Sequence, residues 1–462
     1  MRGVFSSHLI KPCAGFLLLL YSLLCWPAER DTRTLLADYI HLDTSNPPGN
    51  EALGAAFFAE IFAAHDIEHE IIEVAPGRAN IWARLPGGDQ PALLLLHHMD
   101  VVPADASRWQ RPPFGGELDS AYLHGRGALD NKSLGIFHLQ AMLALKAQHK
   151  TLKRDLIFLA TADEEAGGKY GVGWLMHKRP ELFGHIGAVL NEGGRGDVRE
   201  GRLRFGIEVT QKLPLWLRVS ASGAPGHGAI PRIDSASQRL IRALAKLEQF
   251  EFSPQLLPGV KSYLNKLASD LPAPWHKRLL NVEVLLDSPR QMAELHAFDR
   301  RLYAQLHSTC AITRLQASDK INVVAPQAWA ELDCRLLPNH KPEQALQSIK
   351  AALDDESLEL TSLLSFGPGI SSPDNFLYRA LEQNLAARFP QASIVPRMAA
   401  GFTDSHYFRE KGIPAYGFIP LILDAEQMTG VHGDNEKISL ENLRFGSDFL
   451  RELVAQVCLD EA

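Results

Sequence analysis

Residues 91–96 read Pro-Ala-Leu-Leu-Leu-Leu and run directly into His97-His98-Met99-Asp100. An apolar run without alternation has to be covered on both faces, which is the condition of a strand inside a parallel sheet flanked by helices. That stretch alone points to an α/β architecture, in which polar groups at the carboxyl ends of strands face a common crevice. The surrounding pattern agrees. Amphipathic stretches at 32–43 and 53–65 predict helices on either side of the turn Pro47-Pro48-Gly49-Asn50-Glu51. Residues 132–146 and 172–177 predict further helices, and 155–160 and 187–190 further strands. From about Ile207 the pattern changes to an α+β unit, with strands at 215–221, 310–315 and 328–336 and a helix at 236–247. After the breaker cluster Gly367-Pro368-Gly369, helix and strand alternate again. The expected organisation is therefore a larger α/β domain in two parts, 29–206 and 367–462, around an inserted unit at 207–366.

Residues 1–28 are of a different kind. Arg2 and Lys11 precede the apolar run 14–26, which is too short for an ordinary membrane span and suits the core of a signal peptide. Export to a periplasmic or extracellular space is the expectation, with the segment either removed or kept as a membrane anchor. Of the five cysteines, two lie in this segment. The remaining Cys310, Cys334 and Cys458 are expected to be buried free thiols, the alternative being one bridge between Cys310 and Cys334 if their strands are neighbours. The net charge of −7 provides no basic field for a phosphate backbone, so a nucleic-acid partner is not expected.

Five short clusters carry the candidate chemistry. His98 and Asp100 would share one face at the end of the buried strand, where Asp100 can accept the second ring N–H of a metal-binding histidine. Asp130 closes the loop Gly125-Arg126-Gly127-Ala128-Leu129 just before a helix; it is either a helix cap or a carboxylate shared by two cations. Asp163-Glu164-Glu165 leave a strand for a glycine turn. Adjacent carboxylates repel unless cations neutralise them, and a pair of glutamates allows one to bind metal while the other takes a proton from water. Glu192 repeats the pattern of strand, acid and glycine, and His432 follows a strand in the final segment. Any one of these could be an ordinary polar residue. Together, two histidines and three carboxylates from the strand ends of one domain form a nitrogen and oxygen ligand set suited to zinc, with cobalt or manganese as substitutes.

At this point the chain resembles the zinc-dependent amidohydrolase and exopeptidase family of aminoacylase, carnosinase, succinyl-diaminopimelate desuccinylase, acetylornithine deacetylase and glutamate carboxypeptidase. The resemblance runs from about residue 34 to 450 through HHMDVVPAD, WQRPPF, LHGRGALDNKS, ATADEEAGG, VLNEGG, GAPGHGAIP, KINVVAP, ELDCRLLP, AGFTDSHYF and VHGDNEKIS, in that order. It implies a zinc-exopeptidase-like catalytic domain with the inserted α+β unit serving as lid and dimerisation domain. It also implies two zinc ions per chain, bridged by Asp130, with His98 and Glu192 on one and Glu165 and His432 on the other. Glu164 would be the general base and Asp100 would orient His98. Asn322 and Arg335 match residues that bind the substrate carboxylate or the developing oxyanion, and His227 matches a residue that stabilises the oxyanion in the partner subunit of a homodimer. Departures at Asn131, Ser133 and Gly228 remove neither base nor ligand. The implied activity is cleavage of N-acyl amino acids or short peptides with a free carboxylate. Dipeptidase or aminopeptidase action is the alternative, and a silent metal- or peptide-binding scaffold would have been free to lose Glu164.

Overall fold

A computed structural model describes residues 31–199 and 201–460. The apolar run at 14–26 lies outside these residues. The run at 91–96 belongs to the strand Gln90–His98, buried from Ala92 onward. Its neighbours Arg154–Thr161 and Ile186–Asn191 are both parallel to it. Alternate side chains enter different cores. Leu93 and Leu95 pack with residues of the helices Lys132–Ala147 and Leu440–Cys458, whereas Leu94 and Leu96 pack with Val172, Leu175 and Phe408. Two-sided cover is thus the reason this segment has no polar alternation.

Among the described residues the larger sheet has ten strands. Ala415–Gly417 continues the parallel centre beside Ile186–Asn191. Arg78–Leu85 and Glu68–Ala75 extend one side antiparallel, and Arg202–Gln211 with its partners extends the other. This mixed sheet between helices is the α/β fold the sequence predicts.

The chain passes to a second sheet at Lys212 and leaves it after Ser365. This sheet is antiparallel, in the order Thr309–Gln316, Gln327–Leu336, Leu213–Ser222, Glu359–Ser365, and shares a separate core with the helices Ala236–Leu247 and Pro342–Leu353. Ser235 caps the first of these helices by accepting from the Gln238 amide. Five helices between Pro258 and Leu306 enclose a smaller apolar cluster.

The thiol expectation is corrected here. Cys310 and Cys334 are disulfide-bonded, because the strands Thr309–Gln316 and Gln327–Leu336 are adjacent and bring these residues directly opposite each other. Sequence spacing carries no information about that register. Cys458 is buried with a free thiol, as expected.

Candidate active site

Three adjacent parallel strands deliver their terminal residues to one edge of the larger sheet. His98 ends its strand, Glu164 and Glu165 occupy the 3-10 turn after Arg154–Thr161, and Glu192 follows Ile186–Asn191. Asp130 reaches the same place from the loop before Lys132–Ala147. It makes no cap: Asn131 occupies that position and gives no side-chain cap bond either. His432 arrives in the left-handed backbone region after the turn Gln427–Gly430. The His98 Nε2 lies 3.2 Å from Asp130 Oδ1, 3.5 Å from Glu192 Oε1 and 3.9 Å from Glu164 Oε2. The His432 Nε2 lies 3.1 Å from Asp130 Oδ2 and 3.3 Å from Glu165 Oε2. Asp130 therefore turns one oxygen toward each histidine.

The His98 Nδ1 donates to the Asp100 main-chain carbonyl at 2.9 Å, and the Asp100 carboxylate is farther off at 3.5 Å. A carbonyl only accepts, so Nδ1 carries a proton and Nε2 faces the carboxylates, with its lone pair available to a cation whenever the ring is neutral. The Asp100 carboxylate has other work as well. It accepts the backbone amides of Glu164 and Glu165 at 3.1 Å each and the Asn46 amide at 2.8 Å, so it fixes the turn that carries both glutamates.

The charge balance calls for cations. Burial, and then the neighbouring Glu192, push the Glu164 carboxyl well above the usual range, and burial also raises Glu165. Burial lifts Asp404, held by Thr161 Oγ1 at 3.0 Å, to about 8. Burial would depress the His98 imidazole, but Glu192, Asp100 and Asp130 outweigh it and hold the ring well above its usual value. Hydrogen bonds to Asp130 and Glu165 lift His432 to about 10. Protons on these rings stand where divalent cations would neutralise the same carboxylates. The buried Glu165 Oε1 has no hydrogen-bond partner. His98, Asp130 and Glu165, and separately His98, Glu164 and Glu192, present ligand atoms close enough together to hold an ion.

A second layer of buried charge escaped the sequence reading. Arg78 grips Glu51 through two bonds of 2.6 and 2.7 Å and reaches Asp163 at 2.9 Å. Asp163, in the left-handed region, also accepts from Asn46 at 3.1 Å and from the Tyr170 amide at 3.1 Å. Tyr407 donates to the Gly167 carbonyl at 2.8 Å from the other side. The glutamate turn is thus fastened at both ends.

The three residues expected to meet substrate lie on the second sheet and its appended ribbon. His227, in Gly226–His227, pairs with Val323, and the Gly228 amide donates to the Asn322 carbonyl at 2.8 Å. His227 and Asn322 are exposed. The His227 Nδ1 accepts from the Ala229 amide at 3.0 Å, leaving the Nε2–H free to donate. Arg335 is held by Asp333 at 2.7 and 3.2 Å, with its guanidinium near the Trp216 and Phe402 rings.

The profile of Peptidase family M20/M25/M40 matches residues 94–456. The chain belongs to this family. Mouse N-fatty-acyl-amino acid synthase/hydrolase PM20D1 is 28% identical over 412 residues, covering 86% of this chain and 80% of that protein. Human aminoacylase-1 is 25% identical over 409 residues, covering 85% and 88%. In structure, the M20 family metallo-carboxypeptidase Sso-CP2 of Sulfolobus solfataricus superposes with a TM-score of 0.71 at 19% identity, covering 92% of this chain and 99% of that one. This M20 member is accordingly a hydrolase of amide bonds in a metal-dependent family, and its sheet ends offer the ligand atoms such a family needs.

Proposed function

We propose that this chain is a di-zinc hydrolase of N-acyl amino acids, with His98, Asp130, Glu165, Glu192 and His432 as metal ligands and Glu164 as general base. The observation that carries the reading is the division of Asp130 between the two histidines, beside a buried glutamate oxygen with no other partner. When bound, the metals would polarise the scissile carbonyl and make the attacking water more acidic, to a pKa of about 7. Glu164 takes the proton of that water at its carboxylate and returns it to the departing nitrogen. Asp100 keeps Nε2 of His98 free and the Glu164 turn rigid. The Arg335 guanidinium, whose Nε–H and one Nη2–H donate to Asp333, binds the substrate carboxylate through its remaining Nη1 and Nη2 hydrogens, and Asn322 and the His227 Nε2–H stabilise the developing oxyanion. The names of the mouse and human relatives support an acyl amino acid over a peptide; dipeptidase or aminopeptidase action remains the alternative within the same chemistry.

His227 and Asn322 stand among the exposed side chains of Ile230, Ile233, Ile321 and Val323. Apolar exposure around a polar donor pair supports a homodimer in which each ribbon serves the partner's site, with the second sheet as lid and dimerisation domain. Export is proposed from the apolar run at 14–26, and the Cys310–Cys334 bridge fits an oxidising compartment. Among the described residues no helix is long and apolar enough to cross a membrane.

The test pairs metal analysis with hydrolysis of a panel of N-acyl amino acids and dipeptides, for wild type and Glu164→Ala. Two zinc ions in both proteins, with turnover of acyl amino acids in wild type alone, is the expected result. Metal-free wild type would remove the central claim, and preference for dipeptides would move the substrate assignment to the alternative.

A further inference from the structure

Glu436 lies four residues beyond His432, and its side chain is completely buried. Its carboxylate is surrounded by the glycine-bearing loop that ends in Asp130. Oε1 accepts the backbone amides of Leu129 at 2.6 Å and Asp130 at 3.1 Å. Oε2 accepts the Gly127 amide at 3.0 Å and Arg126 Nη1 at 2.8 Å, and the Glu436 carbonyl accepts the Gly125 amide at 2.9 Å. The two residues before it are also tied down: Asp434 pairs with Arg108 at 2.6 Å, and Asn435 accepts the Gln110 amide at 2.6 Å. His432 itself is not enclosed, with 54% of its side chain exposed. Its position over Asp130 is therefore set by the backbone leading to Glu436, not by packing of the ring.

We propose that Glu436 is a positioning residue that fixes the distance between His432 and Asp130, by holding the loops that carry both against one buried carboxylate. The inference rests on the reading of those two residues as metal ligands. Four donors converge on two oxygens, so no neutral side chain of the same shape reproduces the clamp: the amide nitrogen of a glutamine would face two N–H groups whichever way it turned. Charge-assisted bonds of this kind are the stronger class, and outer-layer partners of metal ligands govern affinity by about 10–100-fold.

The experiment is a zinc titration against a chromophoric chelator for wild type and Glu436→Gln, well below the unfolding temperature, with kcat and KM measured in parallel. The expected result is about a 10–100-fold weaker second zinc equivalent and a matching fall in kcat, with KM nearly unchanged and the circular dichroism of wild type. Glu436→Asp keeps the charge with a shorter reach; it should fall between the two, and it replaces the glutamine variant if that fails to fold. Wild-type zinc affinities in a variant that is merely less thermostable would overturn the proposal, because the carboxylate would then only support the fold. No zinc on wild type would instead remove the metal-site reading, and the inference with it.

Discussion

His138 shows what a single buried group imposes. Neither ring nitrogen has a partner, the ring meets His97 edge-on, and burial lowers its pKa to about 3. Unfolded, it takes up a proton near pH 6.5. The neutral ring thus contributes stability that is fully present above about pH 6.5 and is lost as pH falls toward 3, at about 1.4 kcal/mol per pH unit. His138→Leu should therefore lose less stability than wild type between pH 6.5 and 4 in urea denaturation; parallel curves would show that the ring is not neutral and buried. Arg78 makes the opposite case. Arg78→Met leaves Glu51 and Asp163 buried without their counter-charge, and the expected loss is about 3–5 kcal/mol. The same variant should lower kcat, because Asp163 begins the turn that presents Glu164. The candidate ligands and base were legible from local patterns: His98 ends an unbroken apolar run, Asp130 closes a glycine-bearing loop, and Glu164, Glu165, Glu192 and His432 lie just before glycines. Asn46, Glu51 and Arg78 carry no such mark. They become visible only when the fold brings them to Asp100 and Asp163, which are distant in sequence.

At the level of elements, legibility followed the strength of periodic burial. The helix Ala236–Leu247, with its serine cap and single apolar face, has the predicted bounds. The central parallel strands were readable as largely apolar runs, whereas Ser393–Ala399, which pairs parallel with Arg202–Gln211, was not read. Arg195–Arg199 and Glu68–Ala75 were not read, since they are short or exposed antiparallel strands whose pairing, not composition, defines them. The disulfide belongs to this scale, because it joins an edge strand to the strand carrying Arg335. Replacing Cys310 and Cys334 together by serine opens a loop with a sequence separation of 24 and should cost about 2–4 kcal/mol of unfolding free energy. An unchanged urea midpoint would mean that the two thiols are not bridged in the folded protein.

For the whole molecule, the balance of buried charge decides how stability responds to metal removal. Without cations the raised carboxyls of Glu164 and Asp404 stay protonated in the folded state at pH values where the unfolded chain has released its protons. Their contribution is thus present at acid pH and is lost as pH rises, for Asp404 up to about 8. Chelated protein should melt at progressively lower temperature from pH 5 to 8, whereas the metal-loaded form should not follow that slope. Scanning calorimetry with and without chelator measures the difference, and identical profiles would contradict the cation-neutralised site.

The candidate ligand set is assembled from both sides of the second sheet in sequence: His98, Asp130, Glu165 and Glu192 precede it and His432 follows it. During synthesis, then, the first four candidate ligands emerge long before the fifth, and a chain halted in between has most of its larger sheet but lacks a ligand. On the proposed ligand set, hydrolytic competence would arrive only once the inserted segment has been made and the chain has returned to the first sheet.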